Sequence, residues 1–172
     1  MTRRTSAMIG VVLAVLLAMP AALGAGQADV KEARQGTAQF HQVANAVKAG
    51  YGSTLDSLGC FEDPVLGGMG LHYLHEGLLL DGVVDARTPE ALVYEMTANG
   101  KLKLAGVEYI VPVDLWADDD PPELFSQHFH ENEALGLWVL HAWIWTPNPS
   151  GMFEDWNPSV ARCPDGVPIF GS

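Results

Sequence analysis

Residues 90–113, EALVYEMTANGKLKLAGVEYIVPV, decide the fold class. Two runs rich in β-branched and aromatic residues flank Asn99-Gly100. That dipeptide signals a type I′ hairpin, because both residues tolerate positive φ. Strand parity around such a turn puts Val93, Glu95, Leu102, Leu104, Glu108 and Ile110 on one sheet face. Glu95 is nearer the turn and is expected at the surface. Glu108 sits among apolar neighbours. A carboxylate there is costly unless paired, hydrogen-bonded or metal-bound, and the alternative is an edge strand with the side chain in solvent.

Further along, GLWVLHAWIW (residues 136–145) reads as a strand. Val139, His141, Trp143 and Trp145 alternate with Trp138, Leu140, Ala142 and Ile144, and both faces are apolar. That pattern belongs to a central strand covered on both sides. His141 is then buried and needs a polar partner inside the fold.

Upstream, Ala33, Thr37, Phe40, Ala44, Val47 and Tyr51 recur at helical spacing. They predict one amphipathic helix over residues 30–49, ended by Gly50, with His41 at its boundary. LGGMGLHYLHEGLLLDG predicts extended chain with turns at Gly67-Gly68, Glu76-Gly77 and Asp81-Gly82. TPNPSGMFEDWNPSVARC is a turn-rich tail, and WADDDPPELF an acidic, proline-broken loop. The expected architecture is α+β: an N-terminal amphipathic helix packed on a mainly antiparallel sheet or partly closed barrel.

The 172 residues, 48% apolar and 17% charged, suit a single folded domain. The first 28 residues read as a signal peptide, with Arg3 and Arg4 before a short apolar run, and cleavage is expected after Gly24 or Ala28. Residues 29–172 would form the globular domain, periplasmic or extracellular, with no stable membrane insertion. The formal net charge is −12, and removing those two arginines makes it −14 (−12 − 2). Such a charge repels nucleic acid and anionic membrane and favours cations. Cys60 and Cys163 are the two cysteines, and in an oxidising compartment they predict a disulfide.

Six histidines are present, five of them in the domain body. His72 and His75 have odd spacing, so a shared ion would require a bend between them. His128 and His130 have even spacing, which on one strand places both on one face. Their surroundings do not fit the cupin pattern. Imidazoles with a carboxylate suit zinc, copper or iron. Asp118-Asp119-Asp120 lacks the spacing of a calcium loop and reads as solvated. Trp138, Trp143 and Trp145 read as core, whereas Trp156 can line a ligand pocket. No nucleophile elbow, phosphate loop or dinucleotide fingerprint occurs.

GMGLHY, PEALVYE, GVEY, LFSQHFH, LHAWIW and NPSGMFEDWNP, in this order, resemble a recurring group of small exported bacterial proteins over roughly residues 40–163. The resemblance supplies no mechanism. It implies that His72, Glu108, His130 and His141 lie in the most characteristic motifs, with His75 and His128 secondary. The leading expectation is therefore a His/Glu site for a divalent transition metal. A small extracytoplasmic hydrolase or oxidoreductase, with Glu108 as general base, is the second. A metal-free module that binds a small-molecule ligand or another partner is the third.

Overall fold

The computed structural model describes residues 21–52, 60–161, 163 and 169–170. The charged and apolar parts of the expected signal peptide, within residues 1–20, lie outside these. Both expected cleavage positions fall in the first helix, α1 (Ala21–Thr37).

The leading helical segment is broken where one helix was expected. α1 passes into a 3-10 turn, Ala38–His41, and then into α2, Val43–Lys48. Gln42 between them is extended, at φ −95° and ψ 106°. The break shifts the buried stripe: Ala33, Thr37, Phe40 and Ala46 are buried, while Val47 is 57% exposed. It also lets Phe40 and Tyr51 meet, with ring centroids 5.1 Å apart.

The rest is a curled, mainly antiparallel sheet that forms a half-barrel, so the fold is α+β as expected. Its strands are β1 (Cys60–Asp63), β2 (Gly67–Leu74), β3 (Ala91–Met96), β4 (Leu102–Pro112), β7 (His130–Asn132), β8 (Leu137–Ala142) and β9 (Ile169–Phe170). Their order across the sheet is β7-β8-β4-β3-β2-β1-β9, with only β9 pairing parallel to its neighbour. β5 (Glu123–Leu124) and β6 (Gln127–His128) make a separate two-stranded ribbon. A short helix, α3 (Glu76–Leu79), stands where a turn at Glu76-Gly77 was expected, and Gly67-Gly68 opens β2.

The central hairpin forms, but not through a two-residue turn. Thr97 and Lys101 face each other across a three-residue loop, with the Thr97 N–H donating to the Lys101 carbonyl at 2.8 Å. Gly100 adopts φ +75° while Asn99 does not have positive φ, so the geometry is not type I′. An extra residue then enters β4: Val93 pairs with Gly106 and Tyr94 with Leu104. This bulge around Ala105 reverses parity along β4 and adds to the curl. Glu95, Val93, Glu108 and Ile110 share a face as expected, but Leu102 and Leu104 lie on the other. Glu95 is 7% exposed rather than at the surface, bonded to Lys103 at 2.6 Å and joined to Thr146.

One face of the sheet packs under the helices. Leu92, Tyr94, Leu104, Val107, Tyr109, Leu140, Ala142 and Ile144 join Ala33, Phe40 and Ala46 in one apolar cluster. Buried phenols need hydrogen-bond partners. Tyr94 donates to the Phe40 carbonyl at 2.6 Å and Tyr109 to that of Ala86 at 2.8 Å. Trp145 turns to this side, against expectation, because β8 ends at Ala142, and its Nε1 donates to Thr37 Oγ1.

The tail after β8 contributes to the other face. Asn157 exchanges backbone hydrogen bonds with Gly68, and Val160 packs on Val93, Ala105 and Trp143. Gly67, at φ +115°, lies so close that a Cβ there would sit 2.6 Å from the Asn157 carbonyl. The expected disulfide joins Cys60 to Cys163 and secures this tail to β1.

Candidate metal centre

The second face carries the ionisable groups. Glu108 on β4 and His141 on β8 are directly paired across the strands. His72 is on β2, two strands from β4, and the intervening β3 offers Ala91 and Val93 to the same face. Curling of the sheet closes that gap. His72 Nε2 lies 3.3 Å from Glu108 Oε2 and 3.3 Å from His141 Nε2. His141 Nε2 lies 3.8 Å from Glu108 Oε1. One ligand atom from each of the three residues falls within 4.8 Å of the others, so the group can hold a metal ion.

Asp155, from the tail, extends the cluster. Its Oδ1 lies 3.2 Å from His141 Nδ1 and its Oδ2 lies 3.2 Å from His130 Nε2. His141 therefore has a carboxylate on each side. With Nδ1–H donating to Asp155, its Nε2 is turned towards Glu108 and His72.

Burial and charge set the protonation states. Burial pushes the pKa of His72 down to about 4, outweighing the neighbouring Glu108 carboxylate. Burial also works against the charged form of His141, but Glu108 and the hydrogen bond to Asp155 prevail and raise its pKa. His130 is raised by its hydrogen bond to Asp155. Burial opposes the Asp155 carboxylate, yet hydrogen bonds from His130 and His141 hold it well below the usual range. The two rings meet edge to face, at 85°, and divide their roles: the flanking carboxylates favour the protonated form of His141, and burial favours a neutral, metal-competent ring at His72. His72 Nδ1 is buried without a hydrogen-bond partner among the described residues.

The cluster opens onto a cavity of about 260 Å³. Its wall includes Phe61, Leu74, Ile110, Leu137, Val139 and Trp156. Polar groups therefore gather in a pocket that is otherwise largely apolar, an arrangement common in ligand sites.

Of the residues singled out in the sequence, His72, Glu108 and His141 come together. His130 joins only through Asp155, with its side chain 51% exposed. His75 accepts from the Leu78 N–H at the start of α3 and meets Tyr51 edge-on. His128 is exposed on β6, in a different sheet from His130, because Phe129 turns inward to donate to the Pro122 carbonyl. The even-spacing expectation for that pair is thus corrected. Glu108 is only 8% exposed and lies on an interior strand, not at an edge. Asp155 was missed; its visible signal is the pair of carboxylates, Glu154 and Asp155, between Phe153 and Trp156 in the tail. Asp118, Asp119 and Asp120 are exposed, as a solvated loop requires. Trp143 is buried in the core and Trp156 lines the cavity.

Comparison with protein-family models, curated proteins and solved structures finds no match to this chain.

Proposed function

We propose that the protein binds one divalent transition metal ion through His72 Nε2, His141 Nε2 and a carboxylate oxygen of Glu108. The observation that carries this reading is the closeness of the donors: His72 Nε2 lies 3.3 Å from His141 Nε2 and 3.3 Å from Glu108 Oε2, His141 Nε2 lies 3.8 Å from Glu108 Oε1, and one ligand atom from each residue falls within 4.8 Å of the others. A tetrahedral ion with bonds of about 2.0–2.1 Å spaces its ligand atoms about 3.3–3.4 Å apart. Two imidazoles and one carboxylate suit zinc or iron, and imidazole also suits copper. Asp155 supplies the outer carboxylate that commonly orients a metal-binding imidazole. An entering cation displaces the proton of His141, so binding is coupled to proton release.

The test is metal content. The full chain and a His72→Ala, His141→Ala double variant are loaded with zinc, desalted and analysed. One equivalent per chain is expected for the unaltered protein and less than about a tenth for the variant, as expected when two of three protein ligands are lost. Equal, substoichiometric zinc in both would overturn the reading.

The cavity favours a second reading, metal-assisted catalysis, because three protein ligands facing open space leave a coordination position for a small molecule. A hydrolase or an oxidoreductase fits that arrangement. Work outside the cytoplasm is supported by the Cys60–Cys163 disulfide, which persists in oxidising compartments. The resemblance to small exported bacterial proteins points the same way.

A further inference from the structure

The metal-binding face has a directional pattern. Two residues beyond His72 on β2 stands Leu74, and two beyond Glu108 on β4 stands Ile110. On β8, which runs antiparallel to β4, Val139 precedes His141 by two. Glu108 pairs with His141 and Ile110 with Val139. Each candidate ligand is thus followed, one pleat repeat along the same direction, by a branched apolar residue on the same face. Leu74, Ile110 and Val139 form one buried cluster with Ala91, and Leu79 and Leu137 pack against it. All of these except Ala91 line the cavity that contains His72, Glu108 and His141. The remaining charged groups of the cavity, His130 and Asp155, are within 3.2 Å of each other, and Asp155 is 3.2 Å from His141. Its ionisable groups therefore form a single contiguous patch, and the apolar wall extends away from it.

We propose that this cavity takes a small molecule with an oxygen-donor head and an aliphatic or aromatic body, the head at the His72–Glu108–His141 cluster and the body over Leu74, Ile110 and Val139. The inference rests on the metal reading above, since the ion is what recognises the head. A cavity of about 260 Å³ is just below the range of about 300–1,000 Å³ usual for drug-sized ligands, so the molecule is small. The apolar wall selects against sugars and other polyols, whose hydroxyls would lose water without gaining partners. It favours bodies that bury CH₂ or ring carbons.

The test uses straight-chain alkyl hydroxamic acids of two to eight carbons, which share one metal-seeking head and differ only in tail length. Binding to the zinc-loaded full chain is measured by calorimetry. Affinity is expected to rise about fourfold per added methylene until the cavity is filled, the ratio set by burial of one CH₂ group. In Leu79→Gln, which alters the wall at a partly buried position away from the three ligands, the rise per methylene should shrink while zinc content stays at that of the unaltered chain. Leu135→Gln, at a 58% exposed position of the same wall, gives the same comparison with little risk to folding. Zinc bound with affinity independent of tail length would overturn the ligand assignment alone. A chain that takes up no zinc at the cluster would overturn the metal reading and this assignment with it.

Discussion

The same strands build two unlike faces. Towards the helices, Leu92, Tyr94, Val107 and Tyr109 are fully buried, and their phenols end on backbone carbonyls. On the opposite face, Glu108 and His141 occupy the alternate positions of β4 and β8 and open onto a cavity. Strand parity is all that separates Val107 from Glu108. The helix-packed face is filled with aromatics and polar atoms that find fixed partners. The other is closed only in part by the tail, and there the polar atoms meet one another. The largest apolar cluster lies on the first face, and the second keeps an open cavity beside its ionisable groups, where chemistry becomes possible.

Removing the disulfide should give the largest effect. The tail that supplies Asp155, Trp156 and Val160 is secured to β1 by Cys60–Cys163, across a sequence separation of 103. A Cys60→Ser, Cys163→Ser chain is expected to lose about 4–5 kcal/mol in urea unfolding, from the loop-closure entropy of so long a loop. If its metal affinity stays unchanged at the same time, the tail does not shape the second face.

Phe125→Ala sharpens the contrast from the other side. Phe125 is 3% exposed, between Tyr109 and Phe153, with ring centroids 5.3 and 5.4 Å away. Its loss is expected to cost about 3–5 kcal/mol. Leu135→Ala, at a 58% exposed position on the cavity wall, should change stability by less than about 0.5 kcal/mol. Similar costs for the two would contradict the division of labour between the faces.

A smaller effect concerns pH. Glu90 is 1% exposed, and its Oε2 accepts the Ile110 N–H at 2.8 Å. Burial pushes its carboxyl up to about 8, against that hydrogen bond. Between the ordinary carboxylate range and pH 8 the folded chain therefore holds one proton more than the unfolded chain, so this group makes stability fall as pH rises. His72, lowered to about 4, acts in the opposite sense only below its ordinary value of 6.5. His130 and His141, both raised, share the sign of Glu90. Between pH 6.5 and 8, Glu90→Gln should therefore flatten, without abolishing, the decline in the urea midpoint. An unchanged slope would remove Glu90 from this account.

Much of the second face was legible because it follows from local parity. The alternation in VLHAWIW put His141 in the interior, and GVEYIV put Glu108 among apolar neighbours. What was not legible depends on non-local geometry. His72 reaches Glu108 across an intervening strand only because the sheet curls, and the bulge at Ala105 is signalled in the sequence only by the neighbouring Gly106. The Asn99-Gly100 dipeptide pointed to a type I′ turn, yet the consecutive positive φ values belong to Phe125 and Ser126, both at 58°. Neither residue favours that conformation. It is supported by burial of the Phe125 ring and by its N–H donating to Asp29 at 3.2 Å. Asp155 lay in a turn-rich tail whose path over the sheet is set by the disulfide and by close packing on Gly67.

The most direct measurement is anomalous scattering at the zinc edge from crystals of the zinc-loaded full chain. The account predicts one dominant peak, with His72 Nε2, His141 Nε2 and a Glu108 oxygen each about 2.0–2.2 Å from it. A peak at the exposed Asp118–Asp120 loop or at His128, with none between His72, Glu108 and His141, would contradict it.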